Sequence, residues 1–90
     1  MPPAVELSPR AFRDLSGLEK NTAKEILIDL ELLKTRPWPP APKVKKLSGH
    51  KNLYRLRIGQ YRAIYEAAEK IVVVHRIIDR KELERTLRNL

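Results

Sequence analysis

The stretch Tyr54-Arg-Leu-Arg-Ile-Gly-Gln-Tyr-Arg-Ala-Ile-Tyr65 constrains the fold of this chain more than any other segment. Side chains change face at every residue of a strand, so Tyr54, Leu56 and Ile58 share one face while Arg55 and Arg57 share the other. Gly59-Gln60 supplies a two-residue turn, because glycine at the first central position of a type II′ turn takes positive φ without steric penalty. The register follows: Ile58 pairs with Tyr61, Arg57 with Arg62, Leu56 with Ala63, Arg55 with Ile64 and Tyr54 with Tyr65. Cross-strand partners share a face. Tyr54, Leu56, Ile58, Tyr61, Ala63 and Tyr65 therefore form an apolar side, and Arg55, Arg57 and Arg62 cluster opposite. Two arginines directly opposed repel each other, and a sheet optimised for stability alone avoids that, so the cluster points to an anionic ligand.

The charge of the whole chain agrees. Nineteen Lys and Arg against eleven Asp and Glu give a net charge of +8. From Lys43 to Tyr65 the basic residues are Lys43, Lys45, Lys46, Lys51, Arg55, Arg57 and Arg62, with no acidic residue between them. Such a block suits phosphate backbones or an acidic protein partner; the plainer reading is a solvated basic surface. Ninety residues make one small domain, 1–90, with an adequate core. The absence of cysteine fits a reducing cytoplasm. No apolar run approaches the roughly 18 to 20 residues that span a bilayer, and Met1-Pro-Pro-Ala-Val-Glu6 does not read as an export signal. The expectation is a soluble cytoplasmic protein with no membrane partner.

Along the chain, Ala4 to Leu7 reads as a short edge strand. Ser8-Pro9 reads as an N-cap and first helical position, and Ala11, Phe12, Leu15 and Leu18 recur at helical spacing, giving a first helix over about Pro9 to Leu15. A second runs from Asn21 or Thr22 to Lys34, with Ala23, Ile26, Leu27, Leu30 and Leu33 as its buried stripe, widened by Ile28 and Leu32. Pro37, Pro39, Pro40 and Pro42 impose an extended connector around Trp38, which is read as sealing the edge of a core rather than stacking on a base. Val44 to Leu47 leads into the hairpin. Lys70 to Ile78 is the last strand, and the β-branched run Ile71 to Val74 predicts burial on both faces. Asp79 caps a terminal helix from Arg80 to Leu90, with Leu83, Leu87 and Leu90 at helical spacing. The fold class is α+β: an N-terminal strand, a helical hairpin packed on a small antiparallel sheet with a three-strand C-terminal meander, and a short C-terminal helix.

Lys46-Leu-Ser-Gly, the Tyr-Arg-x-Arg-x-Gly-x-Tyr-Arg-x-x-Tyr pattern from Tyr54 to Tyr65, and Ile71-Val-Val-Val-His-Arg-Ile-Ile-Asp-Arg-Lys81 together resemble the RelE/ParE superfamily of toxins from bacterial and archaeal toxin-antitoxin systems. The resemblance covers the whole chain and implies a RelE-like fold neutralised by a cognate antitoxin protein. RelE-like members cut messenger RNA in the ribosomal A site without a metal or small-molecule cofactor; ParE-like members act on DNA gyrase. The resemblance places Arg55, Arg57 and Arg62 where RelE-like nucleases carry basic catalytic or phosphate-binding residues, and Arg80 and Lys81 at the basic pair before the terminal helix. Where family members often carry a tyrosine after that pair, this chain has Glu84, a departure that leaves a catalytically weakened relative acting mainly through antitoxin binding as a further reading.

Metal-free RNA cleavage needs in-line positioning, neutralisation of charge building on the phosphate oxygens and proton transfer at either end. Arginine suits the second task through its planar fork of donors. Arg62, with Arg57 and Arg80, is assigned to that role, and Arg55, Lys43, Lys45, Lys46, Lys51 and Lys81 to holding the strand. Arginine is a poor general base, so Glu84 is the candidate for proton transfer; Glu66, also on the arginine face, is a second, and a surface or ion-pair role competes for both. His75 reads as a core or rim residue sharing a strand face with Ile71, Val73 and Ile77, whereas His50 sits in a loop and is freer to act. Two histidines, no cysteine and no acidic cluster at ligand spacing predict no metal site, and scattered glycines provide no phosphate-cradling loop.

Overall fold

The computed structural model describes residues 4–35 and 37–89. Five strands form one sheet in the order β1-β5-β4-β3-β2: β1 (Ala4–Leu7), β2 (Val44–Lys46), β3 (Leu53–Ile58), β4 (Tyr61–Ala67) and β5 (Ile71–Asp79). The meander runs antiparallel from β2 to β5, so Val44–Lys46 adds a fourth strand to the three expected, and β1 pairs in parallel with β5 at the far edge. The β3–β4 register is the one the alternation dictates, from Leu53 opposite Glu66 to Ile58 opposite Tyr61, and Gly59 takes φ 57° as its turn requires.

Two helices cross one face of the sheet. Helix α1 (Pro9–Ser16) begins at Ser8, whose Oγ accepts from the Ala11 amide and donates to the His75 carbonyl, each at 3.0 Å, so the cap also ties the helix to β5. Helix α2 (Lys20–Leu30) tightens into a 3₁₀ turn over Glu31–Lys34. Ala11, Leu15, Ile26, Leu30 and Leu33 meet Leu56, Ile58, Ala63, Tyr65, Val72, Val74 and Ile77 in the main core. The wider stripe expected on the helices is corrected here: Phe12, Leu27, Ile28 and Leu32 are exposed. Ile28 lies two residues from Ile26, about 200° around the helix, and Phe12 one residue from Ala11, so neither can share its neighbour's face. Trp38 seals the core edge as expected, with its ring edge-on to Tyr54 and Tyr65 and its Nε1 donating to the Leu33 carbonyl at 3.2 Å.

Strand β5 departs from the sequence reading in two ways. Val72 and Val74 are fully buried but Ile71 and Val73 only half so, because the second face is covered over part of its length. A bulge pairs Ile64 with Arg76 and the next residue, Tyr65, with Val74, leaving His75 as the extra residue. Side-chain parity shifts there, so Ile77 joins Val72 and Val74 in the main core and leaves the face that carries His75.

After β5, Asp79 accepts from the Lys81 amide at 2.9 Å and opens a 3₁₀ turn (Arg80–Glu82) that continues as α3 (Leu83–Arg88). Leu83 and Leu87 cover a second, smaller core of Leu47, Ile64 and Ile78 on the opposite face of the sheet. The expected contribution of Leu90 lies outside the described residues. Among the described residues, no helix is long and apolar enough to cross a membrane. Leu56, fully buried on β3 between the helices and the central strand, tests the main core: Leu56→Ala should cost about 2–5 kcal/mol, read as a lowered urea midpoint at unchanged m-value.

Candidate nucleic-acid interface

The face opposite the α1–α2 hairpin carries the arginine cluster. Its central feature is Arg62, only 8% exposed although it is a charged residue on a strand. Nη1 donates to the carbonyls of Gly59 at 3.1 Å and Tyr61 at 2.9 Å, which folds the guanidinium back over the turn joining β3 and β4. Nε is buried and has no hydrogen-bond partner among the described residues. Burial, and then the positive charges of Arg55, Arg57 and Arg80, lower the pKa of Arg62, while Asp79 opposes them. The group stays cationic in neutral solution, since an arginine ordinarily holds its proton far above neutral pH.

Backbone contacts place these groups together. Arg57 stands directly across from Arg62, and Tyr61 across from Asp79. The Arg80 amide donates to the Gln60 carbonyl at 2.8 Å, so the turn that holds Arg62 and the turn that carries Arg80 and Lys81 are joined. Lys45 pairs with Arg55 on the adjacent strand and extends the positive charge sideways. The result is a buried cation surrounded by more exposed ones, an arrangement that repels itself and attracts phosphate.

Of the remaining residues assigned from sequence, Lys46 and Lys51 are exposed near the β2–β3 connection. Lys43 is placed elsewhere: its Nζ lies 3.2 Å from Asp29 Oδ2 on α2, so it serves the attachment of β2 to the helices. Glu84 is exposed on α3, and among the described residues no hydrogen bond ties it to the arginines. Glu66 instead faces His75, with Nε2 and Oε1 3.0 Å apart. Histidine 75 is thus a rim residue engaged with a carboxylate, and His50 lines the same cleft.

The sequence reading missed the small core that shares this face. Ile64 is fully buried beneath α3 although it lies on the arginine side of the hairpin. Its signal was present: Arg55 pairs with an isoleucine, and Ile78 and the leucines of the last helix recur at positions suited to meet it. Asp79 also went unrecognised as part of the cluster, because its capping role accounted for it.

The comparisons with known proteins fit this architecture. The family model described as the ParE toxin of type II toxin-antitoxin system, parDE, matches residues 5–84. A Methanocaldococcus jannaschii protein bearing the name RelE1 is 32% identical over 80 residues, covering 86% of this chain and 89% of that one. The crystal structure of the archaeal RelE-RelB complex from Pyrococcus horikoshii contains a chain that superimposes with a TM-score of 0.74 at 28% identity, over 89% of this chain and 97% of its own. A chain of the RelBE2 toxin-antitoxin complex from Mycobacterium tuberculosis also gives a TM-score of 0.74, at 23% identity, over 88% of this chain and 99% of its own, a likeness of fold. The chain belongs to the RelE/ParE family of toxins of type II toxin-antitoxin systems.

The opposed arginines give a direct test. Arg57 is exposed and faces a like charge, so Arg57→Gln should raise stability by about 0.2–1 kcal/mol at low salt, and the gain should shrink in about 0.5 M salt. Urea unfolding at the two ionic strengths reads both effects; an unchanged or lowered midpoint at low salt contradicts the electrostatic account.

Proposed function

We propose that the protein cuts messenger RNA in the ribosomal A site, without a metal, and is held inactive by a cognate antitoxin. The observation that carries this reading is Arg62: a desolvated guanidinium among three other arginines, with one N–H donor unpartnered among the described residues. Such an arrangement is stabilised by an anion, and more so as charge accumulates on that anion during reaction.

The chemistry is transfer of a phosphoryl bond within the RNA. The 2′-oxygen forms a bond to the adjacent phosphorus, the bond from phosphorus to the 5′-oxygen breaks, and the departing 5′-oxygen takes a proton from water, leaving a cyclic phosphate and a 5′-hydroxyl. Arg62 and Arg57 face the phosphate oxygens, whose negative charge is greatest at the pentavalent stage, while Arg80 approaches from the turn after β5. Arg55, Lys45, Lys46, Lys51 and Lys81 hold the flanking backbone. Lys43 is committed to Asp29 and is left out of this set. Glu84 is assigned to accept the 2′-hydroxyl proton. It is exposed on the helix adjoining the basic turn, with no hydrogen bond among the described residues to compete for it.

The antitoxin follows from the charge. An acidic, amphipathic segment is suited to cover the arginine face or to displace α3, which is only six residues long and rests on the small core through Leu83 and Leu87. The RelE names of the relatives support the ribonuclease reading. The ParE description of the family model favours the alternative, a toxin directed at DNA gyrase, in which the same basic face meets protein.

Primer extension on a translated message after induction should show cuts within codons, and Arg62→Ala should reduce them by at least about 10²-fold. Inhibition of supercoiling by purified gyrase with every message left intact decides for the alternative.

A further inference from the structure

The arginine face continues beyond the arginines. At the open end of the β3–β4 hairpin lies a cleft of about 280 Å³, lined by His50, Lys51, Leu53, Glu66 and His75. Glu66 follows Arg62 by four residues on the same face of β4, roughly 13 Å away at about 3.3 Å per residue. The bulge in β5 aims His75 at it. Bulges recur where a side chain must be re-aimed at a site, and here the re-aimed ring fixes one oxygen of a carboxylate. The other oxygen, Oε2, has no partner among the described residues. His50 also borders a neighbouring cleft of about 260 Å³ that runs beside Arg55, Lys45 and Lys46 against the apolar wall of Leu83 and Leu87. On β4 itself Ile64, covered by α3, separates Arg62 from Glu66, so the line of cations runs around that helix through Arg57, Arg55 and Lys45 to the two hollows, with one acid at its end. Among the described residues no three His, Asp or Glu side chains gather as a metal site, so His50, Glu66 and His75 are not placed to share an ion.

We propose that the Glu66–His75 cleft is a base-selecting subsite for the RNA strand that crosses the arginine cluster: Lys51 holds a phosphate, and the Glu66 carboxylate, steadied by His75, accepts a hydrogen bond from the exocyclic amine of cytosine. The proposal rests on the RNA-cleaving reading above. An acid within a basic track weakens attraction for the backbone, so its presence has to be explained by something other than phosphate. Carboxylates accept from the cytosine amine, and single-stranded RNA presents that edge unpaired. Uracil offers a carbonyl oxygen at the same position, and two sets of lone pairs then face each other.

Fluorescence anisotropy of the full chain with labelled oligocytidylate and oligouridylate of equal length, at one salt concentration, tests this without requiring cleavage. The parent should bind the cytidine strand about tenfold more tightly, a single-contact share of base discrimination. Glu66→Gln should bring the two affinities together, because an amide can turn either a donor or an acceptor to the base. His75→Ala should reduce the preference, and Lys51→Ala should weaken both strands alike. Glu66 is exposed, so its replacement leaves the core intact, and far-UV circular dichroism verifies this. Equal affinity of the parent for the two strands, or a preference that survives Glu66→Gln, overturns the subsite even when messages are cut. A cytidine preference lost in Glu66→Gln, in a protein that cuts no message, supports the subsite and removes the ribonuclease reading.

Discussion

Strand β4 is covered on both faces, and most of the molecule is arranged around that condition. Arg62, Ala63, Ile64 and Tyr65 are four consecutive buried residues. Alternation sends Ala63 and Tyr65 into the core beneath the α1–α2 hairpin and Ile64 into the small core beneath α3. A slip of one residue would exchange these sets and drive the Arg62 charge under the helices, so the register is held by the exclusion of charge from the main core as much as by the turn at Gly59. The aromatic trio acts on the same strand: Tyr65 stacks on Tyr54 with ring centroids 5.6 Å apart, and Trp38 closes over both. These ring contacts favour the same pairing that the hairpin geometry selects.

That arrangement places a cost at the point where the chemistry is assigned. Arg62 is desolvated, repelled by Arg55, Arg57 and Arg80, and satisfied only in part by the carbonyls of its own turn. Proteins commonly carry such local instability at functional sites, offset by packing elsewhere. Here the offset is visible in the clamp between α1 and β5. Asp14 accepts two bonds from Arg76, at 2.8 and 3.3 Å, and a third from the Ile77 amide at 3.0 Å. This clamp lies on the strand that supplies Asp79 and leads into Arg80, so the basic turn is carried on a well-anchored support.

Much of this was legible in the sequence, and the boundary has physical causes. The hairpin register could be counted because a two-residue turn leaves no freedom in pairing. The Ser8 cap, the Trp38 seal and the strand Ala4–Leu7 each depended on a local signal that no distant contact reversed. The bulge at His75 escaped because one inserted residue in a β-branched strand changes neither composition nor hydrophobicity, only parity. The exposure of Ile28 and Leu32 escaped because three aliphatic residues in a row, Ile26 to Ile28, followed by Leu30, admit more than one helical face until the packing partner is known. The partner of Lys43 escaped for a related reason: a charge run on a connector gives no indication that Asp29, fourteen residues earlier, will engage its first lysine. Spatial partners of charged surface residues are set by tertiary structure, which a run of like charge does not encode.

The parallel pairing of β1 with β5 has a consequence for how the chain comes into being. Ala4 to Leu7 are made well before their partners Ile71 to Val74. During synthesis the first strand has no edge to join until some seventy residues have emerged, and Ser8 cannot reach the His75 carbonyl before then. The basic turn at Arg80 and Lys81 arrives later still. In a nascent chain the closing contact of the sheet and the assembly of the charged face consequently become nearly the same event.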